Sequence, residues 1–151
     1  MITSADRRIL RVLQTEGRIT NQDLAQRCGL SPSACLDRMK RLREQGYITS
    51  FVALLDPVKL DHALLIFIEV LLNRTSGDLF RQFAEAVRLK GEILECHMVA
   101  GGFDYLLKVR VKDMAAYRAF LSETLVEMPG VRETRTFAVL EEVKCTTELA
   151  I

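Results

Sequence analysis

With 151 residues, of which 49% are apolar and 27% charged, the chain has the size and balance of an ordinary water-soluble protein with one full domain and a smaller companion. Net charge is only +1 but unevenly spread: residues 1–50 hold 9 Lys and Arg against 5 Asp and Glu, whereas residues 51–151 hold 12 against 15. A positive excess confined to one segment suits phosphate contacts there without making the whole chain adhesive. Residues 1–15 interleave charges with apolar groups, unlike a secretory leader, and the apolar run 63–72 contains Glu69 and is too short to span a bilayer, so the expected location is the cytoplasm. In that setting the sequon Asn73-Arg74-Thr75 is a chance match, and Cys28, Cys35, Cys96 and Cys145, whose spacing fits neither a zinc site nor a redox pair, are expected to be buried reduced thiols.

Thr3 and Asp6 form a cap-like start for a first helix, with Ile9, Leu10 and Leu13 on one face and Gly17 as its stop. Residues 20–46 then predict two short helices joined by a tight turn. Thr20 caps the first of these, Gly29 supplies the left-handed turn after Cys28, and Leu30 plugs the space between the helices. Ser31-Pro32 restarts the chain as a helix, Ser as the cap and Pro at the first helical position. On that helix Cys35, Met39 and Leu42 form an inward stripe with Leu36 at its edge. The opposite face is Ser33, Ala34, Asp37, Arg38, Lys40, Arg41 and Glu44, small residues followed by basic ones, the pattern of a helix-turn-helix that reads double-stranded DNA. Arg38, Lys40 and Arg41 are expected to be the principal contacts, with Ser31, Ser33 and Ala34 near bases or backbone and Asp37 on the same face.

After Gly46 the β-prone run from Tyr47 to Val52, followed by Asp56-Pro57, predicts a strand and linker over residues 47–61. Strands follow at 64–72, 93–99, 104–111 and 132–143, with helices at 76–88 and 113–127. The order βαββαβ is that of a ferredoxin-like sandwich with both helices on one sheet face, so the chain is α+β. Domains are expected at 1–50, 51–61 as the hinge, and 62–151. The strands are apolar on both faces: Leu64, Ile66, Ile68 and Val70 alternate with Leu65, Phe67 and Leu71, and Phe137 and Val139 alternate with Ala138 and Leu140. A wet antiparallel face would alternate apolar with polar, so a second copy is expected to cover the uncovered face and pair two DNA-reading helices over a two-fold symmetric, palindromic site.

Between two of these strands lies Ala100-Gly101-Gly102-Phe103-Asp104-Tyr105. Backbone N–H groups of Gly101 and Gly102 can hold a carboxylate, Asp104 can take an ammonium group, and Thr134 and Thr136 are further polar candidates. Met98, Met114 and Val139 can line an apolar pocket, a mixture that matches a free amino acid. Catalysis is not expected: the chain has only His62 and His97, no metal-ligand spacing, no cofactor motif and no nucleophile paired with a base. A second function class remains open, a small-molecule sensor whose helical domain engages protein partners.

The segments 29–36 (GLSPSACL), 53–57 (ALLDP), 95–99 (ECHMV), 103–107 (FDYLL), 129–131 (PGV) and 133–136 (ETRT) together resemble the Lrp/AsnC, or feast/famine, family across essentially the whole chain. The resemblance implies a winged helix-turn-helix domain joined by a hinge strand to a RAM or ACT-like effector domain. It also implies dimers that assemble further, commonly to octamers, and amino acid effectors such as leucine or methionine held near dimer–dimer interfaces. Carried over, the DNA helix is 31–45, and the effector region includes Met98, the 101–104 loop, Met114 and the strand around 137–139. Asp37 stands where leucine-responsive members commonly carry a basic residue, and Gly102 where an acidic one is common. The first difference implies an altered DNA preference and the second an altered effector preference.

Overall fold

A computed structural model of the chain describes residues 2–73 and 77–151, so the expected helix start at Ser76 and positions 74 and 75 of the sequon lie outside the described residues. Two compact units are present, Met1–Leu54 together with Lys144–Ile151, and Leu55–Val143. Residues 144–151 group with the helical unit, where Gln14 both donates to the Leu149 carbonyl (3.1 Å) and accepts the Leu149 N–H (2.6 Å).

In the first unit α1 (Ser4–Thr15), α2 (Asn21–Cys28) and α3 (Pro32–Glu44) follow from their caps. Thr3 and Asp6 form a reciprocal capping box, Thr20 accepts the Asp23 N–H, and Ser31 accepts the Ala34 N–H ahead of Pro32. Gly29 ends α2 at φ 66°, the left-handed geometry expected of it. Ile9, Leu24, Ala25, Cys28, Cys35 and Leu42 close a small core, with Leu30 and Met39 packed against it. Leu36, placed at the inward edge by its spacing, is instead 57% exposed.

Of the strand and linker expected over 47–61, the strand is not formed among the described residues. Residues 47–56 carry no ladder and 57–61 form a turn in which the Asp56 carboxylate accepts the Val58 and Lys59 N–H groups and His62 N–H donates to Pro57. A β-prone sequence becomes a strand only against another edge, and among the described residues this segment pairs with none; Phe51, Val52, Leu54 and Leu55 are exposed.

The second unit contains β1 (Leu64–Leu72), α4 (Asp78–Arg88), β2 (Ile93–Met98), β3 (Tyr105–Val111), α5 (Met114–Phe120) and β4 (Val131–Ala138). The sheet order is β2-β3-β1-β4 with every neighbour antiparallel, the ferredoxin-like arrangement. Ile66, Ile68, Val70 and Leu72 of β1 bury with Leu107 and Val109 of β3 against Phe83 and Val87 of α4 and Tyr117 and Phe120 of α5. The helix expected over 113–127 is α-helical only to Phe120 and continues as a π-helical turn, Leu121–Leu125, closed by the Val126 N–H on the Leu121 carbonyl. The wider turn brings Leu125, five residues beyond Phe120, back onto the core. β4 ends at Ala138, short of the expected Val143. No helix among the described residues is long and apolar enough to cross a membrane.

Candidate functional site

The basic face of α3 is assembled by its cap and by α1. Ser31, Ser33, Asp37, Lys40 and Arg41 are exposed, Ala34 and Arg38 half-buried. Two of the expected DNA contacts are not free surface cations. One Arg38 terminal nitrogen lies 2.9 Å from Asp6 Oδ1, and one Arg41 terminal nitrogen lies 3.0 Å from each Asp6 oxygen. Asp6 is 1% exposed. Burial raises its pKa, but the Thr3 N–H and hydroxyl, the Arg38 hydrogen bond and the nearby Arg41 charge outweigh that and lower it to about 2. Lys40 keeps only a loose pairing with Glu44 at 3.9 Å. Asn21 at the start of α2 donates to the Pro32 carbonyl at 2.9 Å and ties the first turn of α3 to α2.

Burial raises the pKa values of the Cys28 and Cys35 thiols, as expected of apolar thiols. Cys96 is half-buried and Cys145 exposed, so the expectation of four buried thiols fails at the last.

The expected effector residues do not share one pocket within the second unit. Gly102 and Phe103 do meet a cavity of about 230 Å³, closed by Glu69 and Leu71 of β1 and Glu133 and Arg135 of β4. The four strand residues are cross-strand neighbours, Glu69 opposite Arg135 and Leu71 opposite Glu133. They were not singled out from the sequence, although an acid inside an apolar strand was a signal for Glu69.

Thr134 and Thr136 belong to the other sheet face. Their partners across the ladder are Val70 and Ile68 of the core, and Thr136 hydrogen-bonds the Tyr117 hydroxyl of α5. Asp104 is turned inward as well, 6% exposed, its carboxylate accepting the Leu72 N–H at 2.8 Å while its own N–H donates to Val70. That places the carboxylate in the end of the sheet rather than in the loop-side cavity. Met98 lines a separate groove between β2 and α4 with Ala84, Arg88 and Cys96. Met114 opens α5, and Val139 follows β4 with its N–H on Leu65. Among the described residues no cluster of His, Cys, Asp or Glu could hold a metal ion.

The uncovered sheet face is also more mixed than its strand sequences suggested. Phe67 stands between Lys108 and Phe137, Glu69 between Leu106 and Arg135, and Leu65 opposite Arg110. At its β2 edge Glu95 is hydrogen-bonded by His97 and Lys108, which lower its pKa.

Both units match known families. Residues 2–49 match the winged helix-turn-helix DNA-binding family, and residues 65–149 the Lrp/AsnC ligand binding domain. The chain is 55% identical to the leucine-responsive regulatory proteins of Klebsiella pneumoniae and of Escherichia coli, over 97% of this chain and 89% of theirs. Among solved structures, a transcriptional regulator from Neisseria meningitidis in complex with L-methionine is similar at TM-score 0.95 and 40% identity, covering 99% of this chain and 96% of that one. An AsnC family regulator from Agrobacterium tumefaciens is similar at TM-score 0.94 and 36% identity, covering 98% and 96%. A helical unit presenting a capped basic helix, followed by a βαββαβ unit with a loop-side cavity, thus coincides with both halves of one family, and the chain belongs to the Lrp/AsnC family of DNA-binding transcription regulators.

Proposed function

We propose that this chain is an amino-acid-responsive regulator that reads a two-fold symmetric DNA site through α3 and takes a free amino acid beside the 101–104 loop. The observation that carries the effector half is the cavity where Gly102 and Phe103 meet Glu69, Glu133 and Arg135. A zwitterion needs one cation, one anion and an apolar wall, and Arg135, Glu69 and the pair Leu71 and Phe103 supply them. Met98 and Met114 lie elsewhere on the unit and enter this reading only through a second copy, at an interface between dimers. The L-methionine complex of the neisserial relative and the leucine-responsive character of the enterobacterial ones make these two amino acids the first to try. Dimers form on the uncovered sheet face and assemble further, to octamers; the effector acts by binding two assemblies or orientations unequally.

The test is a selection of bound duplexes from a random pool, with and without single amino acids. Recovery of a symmetric motif whose retention changes with leucine or methionine is the expected result. A motif indifferent to every amino acid removes the effector reading, and failure to enrich any motif removes the DNA reading.

A further inference from the structure

Asp6 has more partners than helix capping requires. Its Oδ2 accepts the Thr3 N–H at 2.8 Å and the Thr3 hydroxyl at 2.7 Å, which completes the capping box. The two arginines come from α3, 32 and 35 residues away in sequence, and Arg38 reaches the Thr3 hydroxyl as well, at 3.2 Å. Arg38 and Arg41 are one turn apart, like charges that repel unless something lies between them. The buried carboxylate does so, while the guanidinium side chains remain 30% and 48% exposed. Each guanidinium has five N–H donors in one plane, and Asp6 engages a single terminal nitrogen of each, leaving Nε and the other terminal nitrogen outside the cluster.

We propose that Asp6 is a positioning residue for DNA recognition: it fixes the Arg38 and Arg41 guanidiniums side by side so that their remaining donors meet neighbouring phosphates. Asp6 itself does not touch DNA. Fixing the rotamers beforehand removes an ordering cost that two free arginine side chains would otherwise meet on binding. The inference rests on the reading that α3 faces DNA.

Its sign separates it from simpler accounts. Removing a negative charge near DNA strengthens binding if only net charge matters, and leaves the binding of folded molecules unchanged if Asp6 matters only for stability. Positioning requires weaker binding. The full chain and its Asp6→Asn variant are titrated against a duplex from the chain's own upstream region, at a temperature where circular dichroism shows both fully folded. Affinity is expected to fall by about tenfold, the scale of one well-placed charge-assisted contact. Arg41→Ala is expected to weaken binding strongly in the unaltered chain and much less beside Asp6→Asn, because the two act through one arrangement.

Equal or tighter binding by folded Asp6→Asn overturns the proposal, as does full additivity of the two substitutions. Where Asp6→Asn does not fold, Asp6→Glu keeps the charge but shifts it by one methylene, and binding equal to the unaltered chain overturns the proposal in the same way. If Arg38→Ala and Arg41→Ala both leave affinity and its salt dependence unchanged in the unaltered chain, the DNA reading of α3 has failed, and the proposal with it.

Discussion

Asp6 is ionised although it lies beneath the surface of the first unit, and that fact has a pH signature. Its carboxyl titrates near 3.8 unfolded and at about 2 folded, so the folded state binds the proton more weakly. The resulting stabilisation is present in full above pH 4 and is lost as pH falls toward 2. From the shift it amounts to about 2 kcal/mol at neutral pH. Asp6→Asn is expected to lower stability by that amount at pH 7 and to narrow its gap from the unaltered chain as the medium is acidified to pH 2, read from urea midpoints along a pH series. A second contrast concerns two glycines. Gly130 sits at φ 73°, and a Cβ there would lie 2.3–2.6 Å from the side chain of Leu79, so Gly130→Ala is expected to cost about 2 kcal/mol in thermal unfolding. Gly102 has neither a left-handed backbone nor a neighbour within 4 Å of a Cβ. Gly102→Ala is therefore expected to change stability by less than about 0.5 kcal/mol, which makes it a clean probe of the cavity proposed to take the effector.

At the scale of elements, what the sequence announced is what neighbours in the chain decide. The Thr3–Asp6, Thr20–Asp23 and Ser31–Ala34 caps and the Gly29 stop each lie within a few residues, so α1 to α3 were legible almost to the residue. What escaped depends on distant partners. Thr134 and Thr136 alternate with Glu133 and Arg135 along β4, but which pair faces the helices is set by register against Ile68 and Val70, more than sixty residues away. The ion pairs of Arg38 and Arg41 with Asp6 were hidden for the same reason, since spacing on α3 alone cannot reveal what α1 presents. In α5, the π-helical turn is a concession to packing: Tyr117 and Phe120 set one helical phase and Leu125 another. Leu125→Ala is expected to destabilise the second unit by about 3 kcal/mol, seen as a lower urea midpoint, because the residue is fully buried and its loss leaves a cavity in the core.

For the whole molecule, the uncovered sheet face links the two halves of the proposed function. Phe137 is 50% exposed beside Phe67, with Leu106 and Leu71 on the same face and charges distributed among them. A face of this composition suits a self-complementary contact, in which apolar groups supply the attraction and opposite charges set the register. A single helix-turn-helix that engages a few phosphates binds weakly at physiological salt. Linking two of them multiplies affinity by roughly 10²–10⁴ with no new DNA contact, provided both half-sites are reached together. Phe137→Glu puts a charge on the β4 edge of this face, next to Phe67 and far in sequence from α3. It is expected to shift the chain to a smaller species in sedimentation and to weaken operator binding more than any single phosphate-contact substitution. A variant that stays fully associated, or one that becomes monomeric and still binds its operator as tightly, would show that the sheet face does not pair the DNA-reading helices.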